Sequence, residues 1–249
     1  MRDRKKNKHS KKPQKRSKPN ATHFEVKSSS AVREYACFAK ERIVKIVFRD
    51  GDLSHKFLAE FSDLADRVVV DPECEFQLLA TVKEGLYSEL SMYEEIAAPN
   101  DQCILLIDHI TDPQNLGSII RSAAFFGIKY VVIAQDRQVG LTEVVVNVSQ
   151  GGLAHVALVG AKNLSRAIEE IKSNGFWVYG ACGETGKSMR EFDVAGKKAI
   201  VVGNEEKGLS RLVRERCDML VKIPGAEKRV ESLNVAVASA VLMQFFSCQ

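Results

Sequence analysis

Apolar positions follow two rhythms along the chain, and the change comes near residue 100. Before it the elements are short. Ile43-Val44-Lys45-Ile46-Val47-Phe48 predicts a buried strand, ended by the turn signal Asp50-Gly51. Phe57, Leu58, Phe61 and Leu64 have the three-to-four spacing of an amphipathic helix. Arg67 to Val70 predicts a second strand, and Asp71-Pro72 permits a helix start for the stretch Phe76 to Val82. These make a small α/β unit over residues 21–95. The polar stretch Glu94 to Gln102, with Pro99-Asn100-Asp101, reads as the linker behind it.

From Cys103 onward, strands and helices alternate at greater length. Cys103-Ile104-Leu105-Leu106-Ile107 is an unbroken apolar run closed by Asp108, the pattern of a parallel strand covered on both faces. Tyr130 to Ala134, Phe176 to Gly180 and Ala199 to Gly203 repeat it, with helical patterns at Ile119 to Phe126 and Leu164 to Ile171. The alternation predicts a parallel α/β sheet over residues 103–249, with ligands at the carboxyl ends of its strands. Ser232 to Phe246 is apolar on most sides and predicts a buried helix, in the core or at a subunit interface.

Composition narrows the class. Of 249 residues, 45% are hydrophobic and 27% charged, the balance of a soluble globular protein. No apolar run approaches the roughly 18 residues of a membrane span, and the first 20 residues do not form a secretory signal. Cys37, Cys74, Cys103, Cys182, Cys217 and Cys248 include no CxxC pair, which predicts reduced thiols in a cytoplasmic protein and no zinc site. The net charge of +4 hides an asymmetry: residues 1–20 carry +9 and the remainder −5. A run such as Arg4-Lys5-Lys6-Asn7-Lys8 cannot bury apolar surface, so residues 1–20 are expected to be a disordered basic arm. The arm either grips nucleic-acid phosphates, with counterion release, or serves as a solubilising or targeting tail.

Three polar clusters follow strands. Thr111-Asp112-Pro113-Gln114-Asn115-Leu116-Gly117 opens a helix that carries Arg121 two turns in, where a guanidinium needs an internal carboxylate or an anionic ligand. Gly203-Asn204-Glu205-Glu206-Lys207-Gly208-Leu209-Ser210 offers close backbone approach and acceptors, or is an ordinary loop with Ser210 as helix cap. Ile223-Pro224 leads through seven residues, Gly225 to Glu231, to Ser232-Leu233-Asn234, which either cap the last helix or face a ligand. A fourth segment, Ala181-Cys182-Gly183-Glu184-Thr185-Gly186-Lys187-Ser188, nearly matches a phosphate-cradling loop. No helical periodicity comes after it, which argues against nucleotide hydrolysis.

Taken in order, Asp112-Pro113-x-Asn115-Leu116-Gly117-x-Ile119-x-Arg121, Gly203-Asn204-Glu205-x-x-Gly208-Leu209, and Ile223-Pro224 with Ser232-Leu233-Asn234-Val235 closely resemble the three motifs of the SpoU family. Ser149-Gln150-Gly151-Gly152-Leu153 is similar to a further family segment. The third motif departs by one extra residue between Pro224 and Ser232, and Lys228 and Arg229 make that loop basic. The family comprises RNA ribose 2′-O-methyltransferases of the knotted SPOUT superfamily. Residues 28–90 more weakly resemble the ribosomal-protein-like substrate-binding domain that many members carry in front.

The resemblance implies a deep trefoil knot holding a bent S-adenosylmethionine, with Gly203, Ile223 and Leu233 as cofactor-binding positions. It implies Asn115, Arg121, Glu205, Ser232 and Asn234 as the polar active-site set, with Arg121 activating the ribose 2′-hydroxyl and no metal required. The Ser232 to Phe246 helix, apolar on more sides than one small domain can cover, predicts a homodimer, and the resemblance places Arg121 near the other subunit's cofactor site. The expected substrate is structured RNA, ribosomal (23S type) rather than transfer RNA because of the front domain. The alternative is a non-catalytic RNA-binding or ribosome-assembly factor that retains the fold.

Overall fold

A computed structural model of the chain describes residues 22–98, 102–136, 138–184, 186–192, 195–226 and 232–247. The basic arm and the middle of the third-motif loop, with Lys228 and Arg229, lie outside them. The front unit runs β1 (Thr22–Val26), α1 (Ser29–Phe38), β2 (Ile43–Phe48), α2 (Gly51–Glu60), β3 (Val68–Val70) and β4 (Leu78–Glu84). Its sheet has the order β1-β4-β2-β3, with β4 antiparallel to both neighbours.

Two expectations for this unit are corrected. The stretch Phe76 to Val82 is not a helix: it supplies most of the inner strand β4. Leu78, Ala80, Val82 and Glu84 are buried at every second position, the period of a pleated strand with one face on the core. Asp50-Gly51 does follow the end of β2 as expected, and the Asp50 side chain also accepts the Asp52 amide and caps α2. That helix stops at Glu60, so Phe61 leaves it and Leu64 is buried from a 3₁₀ turn, Ser62–Arg67.

After α3 (Glu89–Ile96) the chain forms β5 (Cys103–Asp108), α4 (Pro113–Phe125), β6 (Tyr130–Ala134), α5 (Glu143–Val148), β7 (Ala157–Ala161), α6 (Leu164–Ser173) and β8 (Trp177–Ala181). It continues through β9 (Lys187–Ser188), β10 (Lys198–Gly203), α7 (Arg211–Arg216), β11 (Met219–Lys222) and α8 (Val235–Ser247). The large sheet is all-parallel, ordered β7-β6-β5-β10-β8-β11-β9. Every strand expected after residue 102 is present. Helix α3 reaches into the segment expected to be linker, because Met92 and Ile96 are buried in the core of the large sheet.

That sheet is covered on both faces, as the unbroken apolar run of β5 requires. Ile104 and Leu106 meet Ile168 of α6 and Val213 of α7. Leu105 and Ile107 face the opposite core, which holds Leu116, Val145 and Phe246 and runs on into the front unit through Phe24, Tyr35 and Ile46. Each such Ile or Leu contributes about 1.5–3 kcal/mol on burial. Helix α8 buries Val235, Ser239, Leu242, Met243 and Phe246 on one face, while Val237 stays 50% exposed. No helix among the described residues is long and apolar enough to cross a membrane.

Candidate active site

Sheet order reverses between β5 and β10, and α/β sheets bind ligands in the crevice beyond the carboxyl ends of strands at such a point. The two strands end side by side, Asp108 against Gly203. The first motif leaves β5 and the second leaves β10, so both enter the same crevice.

Each loop is shaped by its own hydrogen bonds. Asp112 accepts the Gln114 amide, capping α4 with Pro113 in the first turn and Asn115 just behind it. After β10, Asn204 and Gly208 exchange backbone hydrogen bonds of 3.0 and 2.9 Å that close the loop. A Cβ on Gly203 would overlap the Gly208 carbonyl and lie 2.5 Å from the Leu209 amide nitrogen. The need for glycine at 203 therefore comes from loop closure rather than from approach to a ligand. Ser210 precedes α7 without capping it through its side chain; its amide instead donates to buried Asp108 at 2.6 Å.

One chain of side-chain bonds joins the three motifs. The Asn234 amide donates to Asn115 Oδ1 at 2.9 Å, and Asn115 Nδ2 donates to Glu205 Oε1 at 3.0 Å. Asn204 donates to Glu205 Oε2 at 3.2 Å and to the His109 carbonyl at 2.9 Å. Asn234 also accepts the Ala236 and Val237 amides, so the residue that starts α8 is the one that reaches Asn115. Both Glu205 oxygens and both ends of each asparagine amide have partners, and the rotamers are thereby fixed.

A cavity of about 930 Å³ opens beside the chain. Gly203, Asn204, Glu205, Ile223, Ser232 and Leu233 line it, with Val235 and Leu242 of α8 as its apolar floor. The start of the phosphate-loop look-alike, Ala181 to Gly183, is part of the wall. Lys187 and Ser188 of that segment form β9, and a 3₁₀ turn, Met189–Glu191, follows; no α-helix to hold a phosphate follows them among the described residues.

Arg121 stands apart. It is exposed on α4 and makes no ion pair or hydrogen bond among the described residues, so the internal-carboxylate reading fails. The structure joins Asn115, Glu205 and Asn234, sets Gly203, Ile223, Ser232 and Leu233 around the cavity, and leaves Arg121 unconnected to either. Sequence reasoning does not single out Asn204 or Asp108. Asp108 is fully buried, and His109, at φ 65°, meets it at 2.5 Å. The available signal is a carboxylate closing an apolar strand, since a buried Asp requires partners.

The profile of the SpoU rRNA Methylase family matches residues 102–244. The chain belongs to that family. A Staphylococcus aureus (strain COL) protein assigned to the TrmH family of tRNA/rRNA methyltransferases is 41% identical over 229 residues, 86% of this chain and 91% of that one. The 23S rRNA (guanosine-2′-O-)-methyltransferase RlmB of Xylella fastidiosa (strain 9a5c) is 39% identical over 159 residues, which span 64% of either chain. The SpoU methyltransferase AviRb of Streptomyces viridochromogenes, solved with AdoMet, superposes with a TM-score of 0.75 at 21% identity, covering 91% of this chain and 90% of that one. At that identity the likeness is one of fold.

Proposed function

We propose that the chain is an S-adenosylmethionine-dependent methyltransferase acting on a ribose 2′-hydroxyl of structured ribosomal RNA. The observation that carries this is the Asn234–Asn115–Glu205 chain, built from all three motifs, whose Glu205 end lines the cavity. The site suits the cofactor: an apolar floor for a purine, and backbone groups at Ile223 and Leu233 that join no hydrogen bond among the described residues.

When bound, S-adenosylmethionine supplies an electrophilic methyl group on a sulfonium. The chain's own residues then have three tasks. Gly203, Ile223 and Leu233 hold the nucleoside part through their backbones. Asn115, Glu205, Ser232 and Asn234 hold the polar end and orient the incoming ribose, so that transfer becomes a matter of positioning. Arg121, whose guanidinium is a poor base, binds the adjacent phosphate and the developing alkoxide instead of taking the proton. The substrate phosphate is the acceptor for the hydroxyl proton.

Arg121 can do this only beside a second copy, because its own chain leaves it outside the cluster. Helix α4 presents Arg121 and, one turn on, Phe125, which is 84% exposed, and α8 presents half-exposed Val237. The same reading includes a trefoil knot in the segment from β10 to α8, a homodimer and a cytoplasmic location.

The test is to map 2′-O-methyl groups in total RNA with and without the gene, and to repeat methylation with purified protein. One ribose should lose its methyl group in the deletion and regain it in vitro. Tight S-adenosylmethionine binding with an unchanged methylation map would leave the non-catalytic reading in its place.

A further inference from the structure

A buried polar cluster outside the cavity lies where the front unit meets the large sheet. Its centre is Arg42, at the end of a 3₁₀ turn, Lys40–Arg42, just before β2. One guanidinium nitrogen donates to the Leu153 carbonyl at 2.7 Å and to the Glu84 carboxylate at 3.1 Å; the other donates to the Tyr87 hydroxyl at 2.7 Å. Burial opposes the Arg42 charge, but Glu84 and Tyr87 outweigh it and the pKa is raised. Burial also pushes the Glu84 carboxyl up, with Arg42 pulling against it. Tyr87 is itself tied to β7, its amide donating to the Leu158 carbonyl at 2.8 Å.

The Leu153 carbonyl belongs to a wedge. Gln150 and Gly151 both have positive φ, 49° and 87°, leading into the 3₁₀ turn Gly152–Ala154. A Cβ on Gly151 would lie 2.7 Å from Glu34 Cβ of α1, and one on Gly152 would lie 3.1 Å from the Cα of Arg121. The turn therefore touches the front unit on one side and the Arg121 backbone on the other. Strained backbone persists only where its surroundings hold it. Here the holding groups are Arg42, the Glu34–His155 contact at 2.7 Å, and Asn147, which donates to the Glu25 carbonyl at 2.8 Å.

We propose that Arg42 is a positioning residue: by holding the Leu153 carbonyl it locks the front unit onto the backbone of Arg121, so that RNA gripped in front reaches Arg121 at a set angle. The inference rests on the methyltransferase reading. Through Gly152, a front unit free to swing would let the Arg121 segment shift, and displacements near 1 Å cost about a hundredfold in such reactions.

The experiment compares Arg42→Lys with the double variant Arg42→Met, Glu84→Leu. The lysine keeps a charge beside Glu84 but cannot reach three acceptors in one plane. The double variant leaves no buried charge unpaired and so protects the fold. Calorimetry with S-adenosylmethionine, hydrogen exchange over residues 150–154 and 117–124, and single-turnover methylation at saturating ribosomal RNA are read together. Both variants should keep cofactor and RNA affinity within about threefold. Exchange should rise about tenfold in both segments, and turnover should fall about tenfold or more. Unchanged exchange, or wild-type turnover despite faster exchange, overturns the role of Arg42. A wild-type protein that transfers no methyl group to any RNA would instead sink the enzymatic reading, which the exchange data do not depend on.

Discussion

Arg121 and Asn115 lie on the same helix yet stand in different surroundings, and the difference predicts different losses. Asn115 is bonded to Glu205 and Asn234, whereas Arg121 faces solvent. Arg121→Ala should therefore leave S-adenosylmethionine affinity within a few fold in calorimetry. Single-turnover methyl transfer should fall about a hundredfold, roughly 3 kcal/mol of transition-state stabilisation. Arg121→Lys should recover little, lacking the planar two-donor contact with phosphate. Lost cofactor binding would make the role structural. A second pair of substitutions tests the loop. Gly203→Ala drives a methyl group into the Gly208 carbonyl, while a Cβ on Gly225 meets nothing within 4 Å. The first should abolish cofactor binding and lower the melting temperature, and Gly225→Ala should do neither. At this scale the motif residues are legible in the sequence, because polar and glycine residues crowd the ends of apolar strands. Partners are not: the same sequence permits Arg121 a carboxylate or an anion, and only three-dimensional placement removes the first.

Among elements, the strands of the large sheet are legible because burial on both faces leaves continuous runs such as Tyr130 to Ala134. The front sheet hides one of its two inner strands. Phe76 to Val82 comes after Asp-Pro and mixes periods, and it becomes β4 only because β1 and β2 flank it and demand ladder partners. Helix α8 differs in degree from its pattern: its sequence is apolar nearly all round, but only one face is covered within the chain. For the phosphate-loop look-alike, the missing helical periodicity after Ser188 is the deciding signal, and the structure agrees with it. Gly186 packs against the backbone of Val221 and Lys222, and Lys187 sits in β9 with no α-helix directly behind it among the described residues. Calorimetry should accordingly show no ATP binding, and Lys187→Ala should leave S-adenosylmethionine affinity unchanged. ATP binding abolished by Lys187→Ala would mean that the segment is a nucleotide site after all.

At the scale of the whole molecule, charge and apolar surface each point outward. The +9 of residues 1–20 against −5 elsewhere predicts that deleting the arm weakens RNA binding most at low salt and flattens its salt dependence. The methylated nucleotide should stay the same, because phosphate contacts position and base contacts specify. A truncated protein with full affinity and an altered target would refute this.

The exposed pair Arg121 and Phe125 on α4, with Val237 on α8, predicts a two-fold dimer in which each Arg121 completes the other copy's site. Sedimentation should give twice 27.6 kDa at micromolar concentration, and Phe125→Asp should give the monomer. Complementation decides whether the sites are shared. Arg121→Ala and Asn234→Ala should each be inactive alone. Exchanging subunits between them creates heterodimers in which one site draws Arg121 from the Asn234→Ala copy and Asn234 from the Arg121→Ala copy. That site is intact, and the other lacks both groups. Random exchange should restore about a quarter of wild-type turnover if Arg121 acts across the interface. If Arg121 serves its own chain, every site in the mixture still lacks one group and no activity returns.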